Sequence, residues 1–167
     1  SLGQANELLG EKYGISRDRQ DEFALRSHSL AHEAWESGFY TDLVQPVPGT
    51  DLARDESIRP ETTSEKLAAL KPAFREGGTI TAGNSSPLND GASAVLLGSE
   101  GAADLIGSAP LARIVSRGAF ANDPQDFGYA PVEAVNIALR RAGIGWSDVG
   151  AVELNEAFAA QSLACID

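Results

Sequence analysis

Apolar residues recur three and four positions apart between 16 and 38, at Phe23, Leu30, Ala31, Ala34 and Trp35. That period predicts a long helix with one buried stripe. Ser16 offers an N-cap, Asp18 a first-turn carboxylate for the helix dipole, and Gly38 a stop. A shorter helix is predicted around Leu8 and Leu9, ending near Gly14. Pro131 to Gly143 carries the clearest helix signal. Proline sits near its start, Glu133 in its first turn, Arg140 and Arg141 in its last, and Gly143 just past its end. Thr62 and Glu65 have the spacing of a capping box, so a short helix should follow through Leu67 and Leu70 and stop before Pro72. Residues 100–106 predict another short helix.

The remaining apolar runs are too short for helices. Gly77 to Gly83 reads as a strand, and Asn84 to Gly91 as a tight loop. Ala92 to Leu97 is small, apolar and expected to be a buried strand. Leu111 to Val115 predicts another. Ala151 to Leu154 predicts a strand running into a helix that starts at Asn155. Residues 39–60 contain Pro46, Pro48, Gly49 and Pro60 and read as extended or loop structure, with Leu43-Val44 a short strand. The second half alternates strand and helix, which points to an α/β layered fold. No internal repeat or low-complexity segment is visible.

Composition narrows the function classes. Of 167 residues, 43% are hydrophobic and 22% charged, as in ordinary globular chains. Thirteen Lys and Arg face 24 Asp and Glu, a formal net charge of −11. A chain so acidic lacks the cationic surface that nucleic-acid binding requires. An anionic ligand would have to rely on local cations. No apolar run approaches the ~20 residues that span a bilayer, so no membrane partner is expected. The one cysteine, Cys165, forms no internal disulfide and fits a reducing, cytoplasmic compartment. No basic stretch leads into an apolar one at the start, and there is no methionine. The chain therefore reads as a fragment, a processed product or a trimmed chain.

Four ordered stretches resemble the thiolase family. They are Tyr13-Gly14-Ile15-Ser16-Arg17 with Gln20 to Ala24; Lys71-Pro72-Ala73-Phe74 followed by Gly77 to Ala92; Asp123-Pro124 through Gly128-Tyr129-Ala130-Pro131; and Glu153-Leu154-Asn155-Glu156-Ala157-Phe158-Ala159-Ala160-Gln161. Together they span nearly the whole chain but less than half of a usual thiolase. The resemblance implies a partial thiolase-like fold: a layered α/β/α/β/α core, incomplete, with an α-rich loop domain. Residues 1–88 would be the coenzyme-A-covering loop domain, 89–109 the end of the N-terminal core domain, and 110–167 the start of the C-terminal one. The implied activity is acyl transfer between acyl-CoA and CoA, by thiolysis of a 3-ketoacyl-CoA or by the reverse Claisen condensation. CoA and acyl-CoA would be substrates, with no bound cofactor or metal. The full-length protein would be a homo-oligomer, a dimer or tetramer. The nucleophilic cysteine, catalytic histidine and second cysteine of the family do not occur in this chain, so it is expected to be inactive alone. A noncatalytic CoA-binding or assembly fragment is the alternative. Association in solution is also expected, because unpaired strand edges invite partners.

The resemblance also assigns residues. Asn155 matches the asparagine that helps form an oxyanion hole; by its own chemistry it is equally an N-cap. Glu156 matches a supporting acid, or is a first-turn helix glutamate. Ser86 matches a serine that hydrogen-bonds pantetheine, or is part of a Ser-Ser-Pro turn. Ala82, Leu88, Phe74, Ala157 and Phe158 match channel-lining positions, where the alternative is core packing. Arg59 matches an arginine lying against the CoA nucleotide, or is a solvated loop residue. Phe127 matches a position packing on pantetheine. Pro87 departs from the family's usual glycine. His28 and His32 are four apart on a helix, as metal ligands can be, but no third ligand is apparent. They read as surface or packing residues, and Cys165 as a buried, inert thiol.

Overall fold

The computed structural model describes residues 1–167. Ser16 does cap the long helix: its hydroxyl accepts from the Arg19 N–H, and α2 runs Arg17–Glu36. The preceding helix, α1, spans Leu2–Lys12. Between them the chain turns through Tyr13 and Gly14. A short helix, α3, covers Ser64–Ala68. Its cap is Thr63, not Thr62, with the Thr63 hydroxyl accepting from Lys66 N–H at 3.3 Å. The shift places Lys66 where a capping box needs an acid, so the expected box does not form.

A 3-10 turn at Glu100–Ala102 leads into α4, Ala103–Ile106. A second at Phe127–Tyr129 leads into α5, Ala130–Ala142, which Gly143 ends in a left-handed conformation as its position implies. The last helix, α6, spans Ala159–Ile166. It begins four residues later than the pattern predicts. Phe158 is held extended at φ −145° and ψ 136° because it forms an antiparallel bridge with Ser85. Asn155 therefore lies outside the helix and does not cap it.

The core forms where α6 packs between α1 and α2. Leu9, Ile15, Leu163 and Ala164 make its centre, with Tyr13, Phe23 and Tyr129 packed around them. Tyr13 and Tyr129 stack with centroids 4.6 Å apart.

The predicted strands are not paired within this chain. Residues 92–97, 111–115 and 151–154 make no backbone-to-backbone hydrogen bond. A strand is defined by its neighbour's N–H and C=O groups, and none lies beside these segments. Ala92 to Leu97, expected to be buried, is on the surface: Val95, Leu96 and Leu97 are 80%, 75% and 71% exposed. Residues 79–83 fail as a strand for another reason. Side chains take their N–H groups: Thr79 and Ile80 donate to Glu7, Thr81 to Asn84, and Gly83 to the Thr81 hydroxyl.

Candidate functional site

The motif loop 79–88 is built by buried polar side chains. Glu7 on α1 is 1% exposed and accepts from Thr79 N–H at 2.8 Å and Ile80 N–H at 3.0 Å. Gly78 lets the chain come this close, since a Cβ there would overlap the Glu7 carboxylate. Asn84 is also buried. Its Nδ2 donates to Asp21 Oδ1 at 2.9 Å and to Thr79 C=O at 3.1 Å, while its Oδ1 accepts from Thr81 N–H at 2.8 Å. Asp21 is in turn paired with Arg17 at 2.7 Å, and Arg17 donates to the carbonyls of Leu67 and Leu70 at the end of α3. One polar network thus ties α2, α3 and the loop together.

The loop docks on the Asn-Glu-Ala-Phe segment through its backbone. Ala159 N–H donates to Asn84 C=O at 3.0 Å, and Ser86 N–H to Ala157 C=O at 2.9 Å. Phe158 meets Phe74 edge to face, centroids 5.9 Å apart. Phe74 covers the α1 backbone so closely that a Cβ on Gly3 would run into its ring. The structure therefore brings together Ser86, Phe74, Ala157 and Phe158. The Ser86 hydroxyl itself donates to Pro87 C=O at 3.2 Å and stays at the surface.

Two open cavities flank this junction. One, of about 690 Å³, is lined by Arg59, Ala82, Ser85, Pro87, His28 and Lys66, among others. The other, of about 710 Å³, is lined by Asn155, Glu156, Phe23, Ser162 and Cys165, among others. Arg59 and Ala82 thus share one cavity, while Asn155 and Glu156 share the other. Helix α2 touches both. Ser27 donates to the Glu156 carboxylate, and the adjacent His28 accepts the Arg59 N–H at Nδ1, 3.3 Å away. Burial lowers the His28 pKa, the Arg59 charge lowers it further, and Glu156 partly opposes both. The Asn155 side-chain amide is exposed on the cavity wall, with its donors free of any partner in the chain. Leu88 is fully exposed and packs on nothing. Phe127 lies half-buried on its 3-10 turn and lines neither of these cavities.

Cys165 is half-buried. Its thiol donates to Gly128 C=O at 3.4 Å, and burial pushes its pKa up. It therefore lacks the activated thiolate of a nucleophile. No cluster of three or more His, Cys, Asp or Glu side chains is placed to hold a metal ion. No helix is long and apolar enough to cross a membrane. Sequence reasoning missed Glu7, Asp21, Asn84 and Ser27. The one available signal was the Arg17–Asp21 spacing of four on α2.

Fold and junction together define a partial thiolase-like fold. Residues 1–101 match the family model described as thiolase, N-terminal domain, and residues 108–167 that described as thiolase, C-terminal domain. The chain belongs to the thiolase family. A 3-ketoacyl-CoA thiolase of Pectobacterium carotovorum is 50% identical over 173 residues, covering 99% of this chain and 45% of that protein. One from Marinobacter nauticus is 47% identical, covering 97% and 44%. The crystal structure of the Bacillus anthracis acetyl-CoA acetyltransferase superposes with a TM-score of 0.93 at 44% identity, over 99% of this chain and 43% of that one. Human mitochondrial 3-ketoacyl-CoA thiolase in complex with CoA superposes with a TM-score of 0.92 at 41% identity, over 97% and 41%. The chain spans about 45% of the length of the curated relatives it matches.

Proposed function

We propose that this chain is the CoA-covering and oxyanion-binding part of a thiolase that transfers acyl groups between acyl-CoA and CoA. The observation that supports it best is the junction itself. The Ser86 loop is hydrogen-bonded onto the Asn-Glu-Ala-Phe segment, beside a cavity carrying Arg59 and Lys66. In this reading Arg59 meets the nucleotide end of CoA, where a guanidinium can stack on a base and pair with phosphate. Ser86, Ala82, Leu88 and Phe127 follow the pantetheine arm, and Phe74, Ala157 and Phe158 form the floor beneath it. Residues 1–88 act as the loop domain, with 89–109 and 110–167 as pieces of the two core domains.

The unpaired Asn155 amide stands where negative charge develops on a thioester carbonyl oxygen. A donor there lowers the barrier to enolate formation by binding the developing charge. Glu156, held by Ser27, keeps that segment in place. The attacking thiolate and the acid–base histidine come from parts of the protein outside residues 1–167. A homo-oligomeric state and a cytoplasmic setting belong to the same proposal.

The test is Asn155→Ala in the full-length protein. Loss of one oxyanion donor should lower kcat for acetoacetyl-CoA cleavage by about 10²- to 10³-fold with little change in KM. An unchanged kcat would sink the assignment. The isolated chain should show no thiolysis. A second reading, a noncatalytic CoA-binding fragment, is favoured by the Arg59 cavity being lined by this chain's own residues. Calorimetry distinguishes it: micromolar CoA binding by the chain, with no turnover by the full-length protein, would support it.

A further inference from the structure

The loop that carries Arg59 is long and sparsely anchored. Between residues 46 and 61, only one backbone N–H hydrogen-bonds to another element, and it is that of Arg59 itself. Its acceptor is Nδ1 of His28, on α2. The other ties to neighbouring elements are donated by side chains. Arg54 reaches Glu36 at 3.5 Å and lies over the Trp35 ring, the Asn89 amide donates to the Ser57 hydroxyl at 3.3 Å, and Lys66 Nζ donates to Glu61 C=O. Pro60 follows Arg59 directly, and Arg59 C=O accepts from Thr62 N–H at 3.1 Å. The backbone of Arg59 is therefore held on both sides, and its side chain is directed from a defined point on the cavity wall.

We infer that His28 is a positioning residue that fixes Arg59 for the nucleotide end of the substrate, by accepting the Arg59 N–H at Nδ1. This rests on the reading of the Arg59 cavity as the CoA site. The contact requires an imidazole with a free lone pair at Nδ1 and its proton on Nε2. The burial and the neighbouring cation that lower the His28 pKa keep the ring in that neutral form near pH 7. Lowering the pH protonates Nδ1, which removes the acceptor and sets a second positive charge beside Arg59, with Glu156 the one anion opposing it.

Two kinds of substrate should respond differently to loss of this contact. A CoA thioester carries the nucleotide that Arg59 would meet, whereas an N-acetylcysteamine thioester lacks it. In the full-length protein, His28→Leu keeps side-chain bulk but loses the acceptor. It should raise KM for acetoacetyl-CoA by about three- to tenfold, the worth of one hydrogen bond, and leave kcat within twofold. Its kcat/KM for acetoacetyl-N-acetylcysteamine should not change. His28→Asn places an amide oxygen near the Nδ1 position and should restore the KM for the CoA substrate. Arg59→Ala should match His28→Leu, and the double variant should be no worse than either. A His28→Leu variant that loses both substrates equally would show a general structural role and overturn the inference. So would an unchanged KM for acetoacetyl-CoA in a variant where Arg59→Ala raises it. If Arg59→Ala itself leaves that KM unchanged, the nucleotide reading of the cavity falls, and the inference with it.

Discussion

Replacing Glu7 with alanine should loosen the motif loop before it touches any ligand. The Glu7 carboxylate, although buried, accepts two backbone N–H groups and, at 3.2 Å, the Thr79 hydroxyl. Truncation leaves those N–H groups without a partner. Ile80 is fully buried, so its N–H regains the least solvation; Thr79 is half-buried and regains more. An orphaned buried donor costs about 1–3 kcal/mol. The two together should cost about 2–5 kcal/mol, with Ile80 at the upper end of its range and Thr79 at the lower. Arg75 adds little, because it stays paired with Glu11 at 2.6 Å while its distance to Glu7 is 3.7 Å. Glu7→Gln keeps one carbonyl oxygen but turns an N–H₂ toward a backbone donor, so it should lose roughly half as much. The assay is native-state hydrogen exchange of the full-length protein, read at the Ile80 amide. A loss of ~2 kcal/mol corresponds to exchange about 30-fold faster. Protection at Ile80 that survives Glu7→Ala, with less than ~1 kcal/mol lost in urea unfolding, would refute the claim that this carboxylate holds the loop.

Asn84→Ala removes the link between Asp21 and the loop and leaves the Thr81 N–H unpaired, so it should destabilise by about 2–4 kcal/mol. Thermal unfolding of the full-length variant measures this, and a melting temperature unchanged from the parent would contradict the network. Cys165 should alkylate slowly with iodoacetamide at pH 8 in the folded protein, because burial raises its pKa and keeps it a neutral thiol. The folded state then holds its proton where the unfolded state has released it. Stability from this group is fully present below the ordinary thiol pKa and is lost as pH rises from there through the raised pKa of the folded state. Equal alkylation rates in folded and urea-unfolded protein at pH 8 would rule this out.

The helices were legible because their signals are local. Ser16, Pro131 and Gly143 act on residues within one turn, and the apolar period of α2 is carried by its own sequence. The ordered motifs made the family legible too, because the residues of each one are contiguous. The strands were misread because a strand's hydrogen bonds belong to its neighbour. Residues 92–97 have the composition of a buried strand, yet no segment of this chain lies beside them. The candidate site was half legible. Asn155, Ser86 and Arg59 could be named from motifs, but their relative placement could not.

By itself, then, the sequence determined where α1, α2 and α5 form, which motifs occur and in what order, and that any anionic ligand must depend on local cations. Tertiary structure alone decided that Phe158 is extended and not helical, because Ser85, 73 residues away in the chain, bridges to it. It alone decided that Glu7 and Asn84 are structural acceptors and donors, and that His28 meets Arg59 across 31 residues. The physical reason is the same in each case. Periodicity and capping report interactions within a turn of helix, whereas these groups are satisfied by partners brought near only when the chain has folded.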